Sequence, residues 1–219
     1  GKRAVCGGVG CLSKPFNYFN QSIARAVILL DLADDQDDAN DDLYRAATVL
    51  AVAAYDHYFT SKFCDVLASY LSKNEPNKEL LEQLSRAGLN AKTALEIAVM
   101  KRPFRRIRSL LTKALSEVTT HRTKAIDNLF SGIDLKGLSG RVVKANGKKT
   151  LTRRIDRLVD IRNEIVHAAH IDTHGKAKHI NAKDIRARIA CITEFVSGSE
   201  TIINDWVKTT KLPNVTSKM

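Results

Sequence analysis

Between Ala46 and Phe59 the chain is apolar almost without a break, inside a helical pattern that runs from Asp42 to Leu71. A helix that is apolar nearly all round has no face to give to water. It must be enclosed by other helices, so it belongs at the centre of a bundle. Asp56 and His57 interrupt this segment. A carboxylate there needs a cation or hydrogen-bond donors, and His57 reads as a core histidine satisfied by its neighbours.

The other segments supply the enclosing helices. Phe16, Phe19, Ile23, Val27 and Leu30 recur at helical spacing in a run extending to about Ala33. Short helices are expected over Lys78–Ala87 and Ala91–Met100, and a further one opens at Pro103, which the first turn tolerates. An apolar stripe lies within Arg122–Ile133, and a last helix is capped by Asn181 and runs to about Val207, with an irregularity at Ser197-Gly198. No segment alternates as a strand does, so the fold class is all-α. One core is expected over residues 13–210, between a flexible leader at 1–12 and a flexible tail at 211–219. Ser131–Thr150, rich in glycine and lysine, reads as a mobile basic loop.

The motif with most chemical content is Arg162-Asn163-Glu164-Ile165-Val166-His167, late in a helix read over Leu151–Ala169. Leu151, Ile155, Leu158, Ile165 and Ala169 form one apolar arc at about 100° per residue, and Arg162 falls near its middle. Buried arginine calls for a carboxylate, a phosphate or a set of acceptors. Asp56, in the enclosed helix, has the complementary need, so the two are expected to pair, with Asp56 fixing the guanidinium and leaving its other donors free. An ordinary buried ion pair without a role in chemistry is the alternative. His167 projects about 140° away from Arg162, beside Asn163, so one helix does not bring both to one small target, whereas two copies across a dimer axis could.

The Arg-Asn-x-x-x-His sequence, late in an all-helical chain, resembles the HEPN superfamily, and its surroundings look like the RiboL-PSP type of HEPN domain. The supporting pieces are the long helix with its mid-helix acid Asp56, the segment from Arg122 to Ile133, and a final helix after the motif. The resemblance implies a HEPN-like helical bundle with a long buried central helix and an Arg-x4-His motif helix. It also implies a metal-independent endoribonuclease that acts as a homodimer, with Arg162, His167 and Asn163 in a composite active site. Many such proteins are toxins or effectors of phage defence, which brings in an inhibitor or antitoxin protein as a partner. A non-catalytic HEPN-like module that binds RNA or a nucleotide, or scaffolds a larger complex, is the second reading.

Charge fits a nucleic-acid partner. The formal net charge is +11, and the isoelectric point is near 9.6. Arg105 and Arg106 stand on the polar face of the helix that opens at Pro103, and Arg141, Lys144, Lys148 and Lys149 populate the basic loop ahead of the motif. All six are candidates for contact with the RNA backbone; the face with Arg105 and Arg106 could equally be a solvated one. The aspartate-rich stretch from Asp31 to Asp42 lacks the glycine and terminal glutamate of a calcium loop. It reads as a solvated loop whose last acids complement the next helix, or else as a competitor of RNA for the basic surface. The four cysteines form no zinc pattern, and the histidines from His167 to His179 lack the accompanying acids of a metal site, so neither metal nor cofactor is expected. The longest apolar run is broken by Arg25 and Asp31, and no secretion signal stands out. A reduced, cytoplasmic protein without a membrane partner is the expectation.

Overall fold

Small and aromatic residues dominate the central helix, and they let its neighbours approach on several sides. The computed structural model describes residues 13–35, 40–117 and 122–209; the expected leader and tail lie outside these residues. In chain order the helices are α1 (Lys14–Asp34), α2 (Asn40–Leu71), α3 (Lys78–Arg86), α4 (Ala91–Ala98), α5 (Pro103–Glu117), α6 (Thr123–Ser131), α7 (Leu138–Asn146), α8 (Leu151–Ala168) and α9 (Ala182–Thr209). The fold is all-α: among the described residues the extended structure amounts to one isolated bridge.

Helix α1 lies along α2, while α8 and α9 pack against α2 and against each other. Helix α7 covers α9, and α5 reaches α2 from another side with α4 resting on it. At the centre Tyr55, Tyr58, Phe59 and Phe63 of α2 meet Phe130 of α6 and Phe195 of α9, all fully buried. Their rings meet mostly edge to face or tilted, with Tyr58 and Phe59 at 4.8 Å between centroids. Each such side chain contributes roughly 1.5–3 kcal/mol by leaving water.

Local signals set the helix ends. The Ser13 hydroxyl accepts from Phe16 N–H with Pro15 in the first turn of α1; Asn77 and Asn90 cap α3 and α4 in the same way. Asn181 Oδ1 accepts from Asp184 N–H at 3.0 Å, as the sequence leads one to expect. Asp41 and Asp42 stand in the first turn of α2, where its dipole favours them.

Two expectations need correction. Ser131–Thr150 is not one mobile loop, because α7 occupies its middle. Leu138 and Val142, four residues apart, are fully buried, and the Asp127 carboxylate accepts from both the backbone N–H (2.7 Å) and the hydroxyl of Ser139 in the first turn. Gly137 and Gly147, in left-handed conformations with φ of 63° and 67°, bound the helix rather than loosen it. Helix α9 likewise runs through Ser197-Gly198 unbroken. A Cβ at Gly198 would stand 3.0 Å from Val142 Cγ1, so the glycine is there for close approach of α7.

A buried ion pair fixes α9 on α2. Lys62 is 2% exposed and Glu200 4% exposed, with Nζ and Oε2 2.7 Å apart. Glu200 also accepts from the Tyr58 hydroxyl at 2.9 Å, Asn204 Nδ2 at 3.0 Å and Ser13 N–H at 3.2 Å, and Lys62 donates to Asn204 Oδ1 at 2.7 Å. Burial by itself pushes the Glu200 carboxyl up, but the bond and charge of Lys62, with Asn204 and Ser13, outweigh burial and hold it below its usual value.

A pair this well enclosed sets a clear expectation. Lys62→Met leaves a buried carboxylate without its cation and should destabilise the fold by about 3–5 kcal/mol in urea denaturation. Because the folded carboxyl is depressed, its stabilisation is complete above the unfolded carboxylate value of about 4.3 and is lost as pH falls through the folded value. Acid titration of stability in Glu200→Gln should therefore lack this component of the decline.

Candidate functional site

Helix α8 starts inside the core and leaves it. Leu151, Ile155, Leu158 and Val159 are buried, residues 161–165 are half-buried, and Val166, His167, Ala168 and Ala169 are exposed. The apolar arc thus loses its cover beyond Arg162. The helix stops at two successive left-handed residues, Ala169 (φ 48°) and His170 (φ 51°), whose N–H groups both donate to the Glu164 carbonyl.

A tight hairpin then folds back. Lys178 N–H donates to the His170 carbonyl and Asp172 N–H to the Lys176 carbonyl, each at 2.8 Å. Asp172 Oδ1 takes the N–H groups of His174 and Lys176 across the tip. Arg45 of α2 anchors this hairpin by donating to the Lys178 carbonyl at 2.6 Å, while Lys178 Nζ bonds the Glu164 carboxylate at 2.8 Å. The Lys178 bond holds Glu164 below its usual carboxylate value. His170 is buried against this structure; burial first, and then the charge of Arg45, push its pKa down. His170 forms part of the hairpin's foundation, where burial disfavours its charged form.

Arg162 lies on the rim of the core, not in its middle. It lines a cavity of about 370 Å³ with Ala53, Asp56, His57, Ser61 and Arg108, between α2, α5 and α8. Its Nη1 donates to Asn163 Oδ1 at 3.1 Å, and its buried Nε has no partner among the described residues. The expected pairing with Asp56 is therefore replaced: both groups line the cavity, but the bond that the guanidinium makes is to Asn163. His167, in the last turn of α8, is exposed and outside the cavity lining.

His57 was expected in the core, yet it is exposed, with Nε2 3.3 Å from Ser61 Oγ. Helix α2 is not covered all round: Ala53 and His57 are open and Thr60 and Ser61 half-open, giving one stripe at helical steps. Small and hydroxyl-bearing residues at these steps were the available signal. Cys64 ends the stripe buried, its thiol pushed up by burial and 3.5 Å from Thr112 Oγ1.

The basic candidates divide. Arg105 and Arg106 are exposed on α5, beside Lys101 and Arg102 in a shallow hollow, with Leu95, Val99 and Phe104 exposed nearby. Arg141 and Lys144 are exposed on α7, on a fixed helix. Lys148 is engaged by Glu194 at 2.6 Å, and Lys149 is exposed. Several acids of the aspartate-rich stretch are also engaged: Arg186 binds Asp31 at 2.9 Å and Asp34 at 2.6 Å, and Arg45 binds Asp42 at 2.7 Å. Among the described residues no three His, Cys, Asp or Glu side chains cluster as a metal site would require, and no helix is long and apolar enough to cross a membrane.

The family model described as RiboL-PSP-HEPN matches residues 19–205. Comparison with curated proteins gives no match, and comparison with solved structures gives none either.

The end of α8 can be tested apart from any chemistry. Ala169 adopts a left-handed backbone that L-residues disfavour and glycine does not. Ala169→Gly should raise stability by about 1 kcal/mol, read as a higher urea midpoint at unchanged slope. An unchanged or lower midpoint would mean that the helix end is not under this strain.

Proposed function

The chain belongs to the RiboL-PSP-HEPN family, and from that premise we propose that it is a metal-independent endoribonuclease. The observation that carries this reading is Arg162, a guanidinium lining a cavity of about 370 Å³, whose buried Nε still has a proton to donate. A phosphate is the ligand that such a group suits best.

In the proposed reaction the RNA 2′-hydroxyl attacks its own phosphorus and the bond to the 5′-oxygen breaks. The products carry a 2′,3′-cyclic phosphate and a 5′-hydroxyl. His167 moves a proton, since imidazole exchanges one near neutral pH, and Arg162 stabilises the negative charge that gathers on the phosphorane. Asn163, bonded to Arg162, aims the guanidinium. Asp56 acts at second hand, its carboxylate in the same cavity biasing the guanidinium by charge. DNA lacks the attacking hydroxyl and survives.

His167 lies outside the cavity of its own Arg162, which favours a homodimer with a composite site. Val166 (48% exposed) and Ile171 (46% exposed), either side of His167 in sequence, supply apolar surface for a second copy. Arg105, Arg106, Arg141, Lys144 and Lys149 would hold the RNA backbone, and Lys148 would join them on release from Glu194. A toxin or phage-defence effector restrained by an inhibitor or antitoxin protein is the biological setting proposed.

End-labelled RNA incubated with the protein in excess EDTA should be cut to cyclic-phosphate ends. Arg162→Ala should slow cleavage by about 10²–10³-fold and His167→Ala by about 10²–10⁴-fold, with folding and dimerisation intact. Tight binding of intact RNA, unchanged in either variant, would replace the enzyme with the non-catalytic binding module.

A further inference from the structure

Cleavage by an internal 2′-hydroxyl needs two proton movements, one off the attacking oxygen and one onto the departing oxygen. Arginine stays charged and performs neither. His167 can perform one. The structure places a second imidazole in the lining of the same cavity as Arg162 and from the same protomer: His57, on the exposed stripe of α2.

We propose that His57 is a second catalytic residue, a proton carrier that faces the reacting phosphate in cis with Arg162; this rests on the ribonuclease reading above. The ring is exposed, and Ser61 Oγ, 3.3 Å from Nε2, orients it. The cavity, about 370 Å³, falls in the size range of small-ligand sites. Arg108, paired with Asp65 at 2.5 Å, lines the same cavity. The groups sharing the cavity with His57 are Asp56 and Cys64 of α2, Arg108 of α5 and Arg162 of α8. One imidazole takes the 2′-hydroxyl proton as the O2′–P bond forms. The other, as imidazolium, gives its proton to the 5′-oxygen as the P–O5′ bond breaks, and exchange with water restores both rings.

The spacing His57–Ser61, four residues apart on one helix face, is also what a merely structural hydrogen bond would use. The test must therefore separate proton transfer from support. His57→Gln keeps a hydrogen-bonding side chain and cannot carry a proton.

The experiment uses a synthetic RNA spanning a mapped cleavage site, in two forms: the natural phosphodiester, and one with sulfur in place of the 5′-oxygen at the scissile bond. Thiolate leaves without help from an acid. On the natural substrate His57→Ala and His57→Gln should each lose about 100-fold or more, while binding a 2′-O-methyl version of the same RNA and unfolding at the same midpoint as the unsubstituted protein. On the sulfur substrate cleavage should return in whichever of His57→Ala and His167→Ala has lost the acid, and stay lost in the other. The pH–rate profile of each variant should lose one limb, a different one in each. Near-normal cleavage by His57→Gln, loss of RNA binding in step with cleavage, or sulfur rescue in neither histidine variant would overturn the assignment. If Arg162→Ala and His167→Ala are inactive and His57→Ala is not, the ribonuclease stands and only His57 falls; if the unsubstituted protein does not cut, both readings fall.

Discussion

Keeping water off α2 decides where the rest of the chain must go. Its buried rings require partners on several sides, which α1, α5, α6, α8 and α9 provide. Hydrophobic cover alone would allow neighbouring helices to slide, because burial is not directional. The Lys62–Glu200 pair adds direction: a shift of α9 by one turn would separate the charges and strand both without water. Cover sets which helices touch α2, and the pair sets the register of α9.

The same constraint accounts for the site. Cover is open along Ala53, His57, Thr60 and Ser61, and α8 brings Arg162 to that opening. The cavity lies where the bundle leaves this stripe of α2 open. What keeps Arg162 in place lies further along the chain, where Arg45 and Lys178 tie the hairpin after α8 to both α2 and Glu164. The motif helix is therefore buried at its start and clamped just past its end, with an exposed last turn between.

Much of this was legible from spacing. Helical periodicity located α1, α2, α5, α8 and α9 to within a few residues, and Asn181 announced its cap. Helix α7 was missed because the stretch around it, Ser131–Thr150, is rich in glycine and lysine; its two buried anchors, Leu138 and Val142, are too few to register as a stripe. His57 was placed wrongly for a different reason. A helix apolar almost all round has little amphipathic direction, so the pattern does not say which face is open. Lys62 and Glu200 look like surface residues in one dimension, and only the packed bundle shows that each is the other's environment. For Arg162 the phase round the helix was readable but the depth was not, and a neighbouring asparagine, not a distant carboxylate, took the bond.

The crossing of α7 and α9 links residues far apart in the chain. With 3.0 Å between a Cβ placed on Gly198 and a methyl of Val142, the size permitted at one position depends on the size present at the other. Alanine at 198 becomes accessible to relatives that carry a smaller side chain at 142, and isoleucine at 142 only to those that keep glycine at 198. Divergence in this family should therefore move these two sites as a pair, and a substitution harmless in one background should be damaging in another.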